Sequence, residues 1–363
     1  MFVATAGWSI VVTPPDSPDL ITVPASPPVP GLVFRRFRGE SDYPDMVRVA
    51  DDRAAANGDD WHMTLEDVRH EYAHLTNCDP ATDMIVAEVG GEMIGYWRGH
   101  WHENADGTTI YSIYHFLHPA WRGRGIGHAA LLWMEDRLRH IAAGHDPARP
   151  KFFQGFATQG NRYQAGLLEA AGYRPVRHFH TMVRPSLDDI PDFPLPSGLE
   201  VRPVLPEHYR AIWDADVEAF RDHWGFGEPD EADYQSWLDD KTVFQPALWQ
   251  VAWDPATNEV AGQVRAYIDH AENERFVRRR GYTEFISVRR PYRQRGLARA
   301  LIVRSLRLQR DAGMNTSALG ADSESLTGAT RVYEDCGFRV ARTDTLYRKE
   351  VASLNPDGYG FHG

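Results

Sequence analysis

One feature constrains this chain more than any other: it contains the same pattern twice. Leu32-Val33-Phe34-Arg35-Arg36 is echoed by Leu199-Glu200-Val201-Arg202-Pro203, 167 residues later. Gly91-Glu92-Met93-Ile94-Gly95-Tyr96-Trp97-Arg98 returns as Asn258-Glu259-Val260-Ala261-Gly262-Gln263-Val264-Arg265, again at 167. The run from His118 to Gly127 returns as Arg289 to Ala298 at 171, and Gly172-Tyr173 as Gly337-Phe338 at 165. Four segments in one order at nearly one spacing mean a tandem duplication. Whatever one copy folds into, the chain folds into twice.

The 363 residues are long enough for two cores of ordinary size. The sequence divides into a Pro-rich arm at 1–31, a first copy at 32–183, a Pro-rich linker at 184–198, a second copy at 199–352 and a tail at 353–363. The arm carries Pro14, Pro15, Pro18, Pro24, Pro27, Pro28 and Pro30 and is expected to lie extended across a domain. Within each copy a strand leads into a helix (Tyr43 to Ala56; Tyr209 to Phe220), then a hairpin, then a further strand (Thr109 to Leu117; Thr283 to Val288). A Gly/Arg loop then opens an apolar helix (Ala129 to Ile141; Arg299 to Leu308), and a strand, a helix and a last strand close the copy. The pattern predicts an α/β (α+β) fold, a mixed, mostly antiparallel sheet flanked by helices.

The loops Arg122-Gly123-Arg124-Gly125-Ile126-Gly127 and Arg293-Gln294-Arg295-Gly296-Leu297-Ala298 each join a strand to a helix. Small residues there let a ligand approach the backbone, and the free N–H groups of the first helical turn favour phosphate oxygens. Neither loop has the spacing of a dinucleotide fingerprint or a nucleotide P-loop, which disfavours NAD and ATP. Both loops match the R/Q-x-x-G-x-G/A signature of the GNAT superfamily of N-acetyltransferases, and the chain resembles that family from about residue 32 to 350. A later motif agrees: Asp322 through Gly337-Phe338 is similar to the family's helix that carries a tyrosine and ends in Gly-Phe or Gly-Tyr. Two such domains in one chain are similar in architecture to mycothiol synthase, although no residue singles out that substrate.

The resemblance implies acetyl-CoA as cosubstrate and transfer to a primary amine by direct attack. It assigns the pyrophosphate to the two loops and the thioester side to backbone N–H groups of Ile286-Ser287-Val288 and, in the first copy, His115-Phe116-Leu117. It places Tyr333 as the proton donor to the departing thiolate. An amine must also lose a proton, and Glu284 is the candidate base, expected by strict alternation to share a face with Ile286 and Val288. At the same offsets Ile113 and Leu168 stand where Glu284 and Tyr333 do, so the first copy is expected to have lost catalysis while keeping a loop able to hold acetyl-CoA. A family asparagine is replaced by Ser325 or Leu326 in the second copy, and Asn161 fills that place in the first. The rival reading is a non-catalytic acyl-CoA-binding sensor; transfer of a longer acyl group is a further alternative.

Other signals are weaker. His100 with His102, and His178 with His180, share strand faces, but no third ligand completes a metal site, and none is expected. Asp222 to Gly227 falls where acceptor-binding loops lie in the family. The net charge of −12 argues against nucleic acid and anionic membranes and favours a cationic small-molecule amine. No apolar run is long enough to span a bilayer, Met1 to Gly7 lacks the basic start of a signal peptide, and Cys78 and Cys336 fall in different copies. A cytoplasmic monomer is the expectation.

Overall fold

The computed structural model describes residues 19–325 and 328–352. The prolines before residue 19, the start at Met1, Leu326 and the tail from 353 lie outside the described residues.

The first copy runs β1 (Leu20–Ile21), β2 (Leu32–Arg35), α1 (Tyr43–Asn57), α2 (Leu65–Ala73), β3 (Met84–Val89), β4 (Glu92–Glu103), β5 (Thr109–Leu117), α3 (Ile126–Ala142), β6 (Lys151–Ala157), α4 (Arg162–Ala170) and β7 (Arg174–Arg184). The second runs β8 (Glu200–Arg202), α5 (Tyr209–Phe220), α6 (Glu231–Asp239), β9 (Trp249–Asp254), β10 (Glu259–Tyr267), α7 (His270–Arg275), β11 (Arg280–Val288), α8 (Leu297–Asp311), β12 (Thr316–Asp322), α9 (Ala329–Asp335) and β13 (Arg339–Glu350). Local chemistry explains the element ends. Thr64 and Asp67 form a reciprocal capping box at α2, as do Asp230 and Asp233 at α6. Gly58 closes α1 with φ 72°, a conformation costly for any residue with a Cβ.

All the described strands form one sheet in the order β1-β2-β3-β4-β5-β6-β13-β7-β12-β11-β10-β9-β8. The two copies exchange their last strands. β13 lies between β6 and β7, pairing Thr345 with Ala157 and Asp344 with Phe179, while β7 pairs Ser317 of β12 with Arg184. Each copy therefore completes its sheet with a strand from the other. The predicted mixed, mostly antiparallel character holds: β5·β6 and β11·β12 are the parallel pairs.

Helices α3 and α4 bury their apolar stripes on one face of the first copy, with α8 and α9 doing the same in the second. The opposite face carries α1 and α2 in the first copy and α5 in the second. Across the middle α2 meets α6 and the turn after it, where Ser236 Oγ lies 3.5 Å from His70 Nε2 and Lys241 Nζ 2.7 Å from Glu66 Oε1. The Pro-rich segments are themselves a repeated element. Val23 and Val29 pack into the core under α3, and Leu187, Ile190, Phe193 and Leu195 pack under α8. The stretch expected as a linker is a strap fixed to the second core, with Arg307 donating to the Pro191 carbonyl at 3.1 Å.

Candidate active site

The site begins where two strands part. β11 and β12 pair only from Arg280–Thr316 to Tyr282–Ala318, after which they diverge. Beyond that point β11 carries a bulge: Arg265 of β10 opposes Glu284, Gln263 opposes Ser287, and only Val264 lies between them. Phe285 sits there at φ 49°, the extra residue that bends and twists a strand. The bulge corrects the expected alternation. Ile286 and Val288 pack toward the core under α8, whereas Glu284 shares the register of Arg265, whose guanidinium pairs with Asp216 of α5 on the other face.

Beyond β11 the chain enters the loop before α8. Gln294 at φ 60° and Gly296 at φ 83° turn the backbone so that α8 starts without a side-chain cap. Apart from its chain neighbours, no described residue comes within 4 Å of where a Gly296 Cβ would be. The first N–H groups of α8 are thus left for a ligand. The arginines shape the loop instead of projecting from it. Arg293 donates to the carbonyls of Val288 (2.9 Å) and Ala219 (3.1 Å) and to Asp222 (2.7 Å). Arg290 also pairs with Asp222, and together the two arginines hold that carboxyl far below the usual range. Arg295 turns away to the Ser197 carbonyl at 2.8 Å.

A cleft of about 660 Å³ brings these parts together. Ile286, Ser287, Val288, Arg293, Gln294, Gly296, Leu297, Ala298 and Tyr333 line it; Arg295 does not. Phe220 and His223 close the cleft from the end of α5; His223 falls in the flagged Asp222–Gly227 run, whereas the sequence reading missed Phe220. That run docks on the first copy, with Ala105 N–H donating to the Phe226 carbonyl at 2.8 Å.

Glu284 spans the gap between the parted strands, accepting the Gly320 N–H at 2.7 Å. Burial outweighs this bond and pushes its carboxyl up to about 8. Tyr333 is buried, and burial together with the nearby Glu284 charge pushes its phenol up, so it stays protonated at neutral pH.

The first copy repeats the uncapped helix start, with Gly125 at φ 84°, and the parted parallel strands, but differs at the bulge and at the positions of Glu284 and Tyr333. β4 and β5 pair without interruption from Gly95–Leu117 to Glu103–Thr109, so the bulge is absent. Since Arg98 is the counterpart of Arg265 and opposes Tyr114, the residue standing at the place of Glu284 is Tyr114, not Ile113 as the offset of 171 implied. Ile113 lies in the core under α3. His115 is buried, and burial with Arg53 and Arg122 nearby lowers it to about 3. Leu168 packs over Gly155 and carries no hydroxyl. Phe116 stacks on Tyr96 with centroids 4.6 Å apart.

Neither histidine pair gains a third ligand: His178 and His180 bond Thr345 and Thr343, and the described residues contain no metal-holding cluster of His, Cys, Asp and Glu. Among the described residues no helix is long and apolar enough to cross a membrane. Cys78 and Cys336 are unpaired.

Comparison with known proteins agrees with this geometry. The model of the acetyltransferase (GNAT) family matches residues 46–146 and 209–338. The chain is 30% identical over 301 residues to a mycothiol acetyltransferase of Salinispora arenicola, covering 82% of this chain and 89% of the relative. It is 29% identical to that of Streptomyces coelicolor, over 74% of this chain and 80% of the relative. Among solved structures, a GCN5-related N-acetyltransferase from Sphaerobacter thermophilus superposes with a TM-score of 0.68 at 25% identity, covering 88% of this chain and 96% of that one. A tandem GNAT protein from the clavulanic acid pathway shares the fold at 0.62 and 16% identity, over 89% and 100% of the two chains. The chain belongs to the acetyltransferase (GNAT) family, with two such domains in tandem.

Proposed function

We propose that this enzyme transfers the acetyl group of acetyl-CoA to the amine of a small molecule, and that the second copy does the work. What carries this reading is the placement of an uncapped helix start, a bulged strand and Tyr333 around one cleft, with Glu284 at its parted strands. The pyrophosphate of the coenzyme would rest on the first turn of α8, and the pantetheine arm would follow β11 past Val288 to Ile286. The acceptor nitrogen forms its bond to the thioester carbon and the carbon–sulfur bond breaks. Glu284 takes the proton that the nitrogen loses, and Tyr333 supplies one to the departing sulfur. A carboxyl near 8 is matched to an amine far better than an ordinary glutamate would be.

The relatives' names put acceptors of mycothiol chemistry first among those to test. Two unpaired cysteines fit a reducing compartment such as the cytoplasm, and the exchanged strands give each copy a partner within the chain, which fits a monomer. The test is coenzyme release and acetyl-product mass across an amine panel, with wild type and Tyr333→Phe. Amine-dependent release that falls at least about tenfold in the variant, or about 1.4 kcal/mol of barrier, supports the reading. Tight coenzyme binding with no transfer to any amine overturns it.

A further inference from the structure

The two copies differ most where the coenzyme's phosphates would lie. In the second copy Gly328 and Ala298 both line the cleft, and apart from its chain neighbours no described residue comes within 4 Å of where a Gly328 Cβ would be. At the offset of 165 that joins Gly172-Tyr173 to Gly337-Phe338, the first copy has Tyr163, on the first turn of α4. Its hydroxyl reaches the start of α3, where a Cβ on Gly127 would lie only 2.4 Å from it. Gly127, the last small residue of the loop's signature, is therefore the floor on which Tyr163 rests.

Two more groups close the same opening. Arg122 lays its guanidinium over the Tyr163 ring, 5.6 Å from the centroid, and donates to Asn57 Oδ1 at 3.0 Å. Its counterpart Arg293 instead holds loop carbonyls and Asp222 and leaves the cleft free. Pro27 of the N-terminal strap covers Gly125, whose Cβ would meet the proline ring at 3.2 Å; the space over Gly296 is open. Helix start, loop and strap are thus all present in the first copy, but its own side chains occupy the ligand's place.

Resting on the acetyl-CoA reading of the second copy, we infer that Tyr163 is a built-in plug and that the chain binds one acyl-CoA, not two. The expectation that the first loop still holds the coenzyme is replaced by a structural role for that copy: it lends β7 to the second sheet and its β4–β5 turn to the loop at Phe226. An aromatic ring stacked on a cation and seated on glycine excludes a pyrophosphate by volume, with the arginine's charge already engaged.

Calorimetric titration of the full chain with acetyl-CoA tests the inference. Wild type should bind one equivalent, Tyr163→Phe, which keeps the ring, one, and Tyr163→Ala a second, weaker equivalent. Two equivalents on wild type would overturn the plug while leaving the acetyl-CoA reading standing, and this result needs no variant to fold. One equivalent on a folded Tyr163→Ala would overturn Tyr163 as the determinant. No binding to wild type would remove both this inference and the reading beneath it.

Discussion

The carboxylate of Glu284 accepts the backbone N–H of Gly320 at 2.7 Å across the gap between two strands that have ceased to pair. That one bond fixes the base where the sheet opens, and it makes the carboxyl's protonation state a property of the gap. With burial holding it near 8, kcat/KM should climb with pH along a limb near 8 and level off above it. Glu284→Gln keeps an oxygen for Gly320 yet cannot take a proton. Its rate should fall by roughly a hundredfold or more, and the limb near 8 should vanish. A limb that persists unchanged in the variant would assign the titration to another group.

The same shift has a stability consequence of definite sign. The Glu284 carboxyl loses its proton near 4.5 when exposed but only near 8 in the folded chain. Between those values the folded state holds more protons, so this residue lowers stability as pH rises from about 4.5 to 8, and the loss is complete above 8. Glu284→Gln should therefore melt with wild type at pH 4.5 and progressively above it toward pH 8.5. Thermal melts at four or five pH values check this; equal midpoints throughout would contradict a desolvated carboxyl.

Tyr333 is buried, feels the Glu284 charge and lines the cleft from α9, not from the loop that would hold the phosphates. Tyr333→Phe preserves the ring and its packing under α8 while deleting one proton. The expected result is a kcat at least about tenfold lower with the KM for acetyl-CoA nearly unchanged. A raised KM at constant kcat would mean that the phenol binds coenzyme without serving as the acid.

The bulge at Phe285 separates the two copies as sharply as any side chain does. The first copy shows that the sheet tolerates its absence, since β4 and β5 pair regularly through the same region. Deleting Phe285 should restore that regular register, with Arg265 still opposite Glu284 and Gly262 still opposite Val288. Circular dichroism should show a folded chain, and transfer should drop by more than about a hundredfold, because Ile286 would join the ladder opposite Val264 and the strand would lose its bend at the cleft. Activity within a few-fold of wild type would remove the bulge from the chemistry.

The repeat made the fold legible, because a glycine-flanked loop after a strand and before an apolar helix carries its geometry in its composition. Tyr333 and the lining from Ile286 to Ala298 follow from the same pattern. The place of Glu284 in the sheet did not. The offset between copies is 167 at Arg98 and Arg265, 170 at Ser112 and Tyr282, and 171 at Leu117 and Val288. The last unit is Phe285 itself, and an inserted residue reverses every face assignment that alternation makes across it. Nor could Tyr163 be seen as a plug, since its obstruction depends on the third dimension.

The strand exchange was hidden for a different reason: two similar last strands can complete either sheet, and sequence similarity does not say which. β13 pairs along its length with β6 and β7, and Lys349 of β13 reaches Glu135 of α3 in the first copy at 2.8 Å. Each copy alone would leave an unpaired central edge where its partner's strand belongs. A protease site placed in the strap beside Pro196 and Ser197 should therefore yield two fragments that remain one species on size exclusion and retain activity, separating only in denaturant. Residues 19–184 expressed alone should aggregate or self-associate through the edge that β13 normally fills, and adding the second fragment during refolding should restore a soluble 1:1 pair. Two stable, separately soluble monomers would show that the exchange is not what holds the copies together.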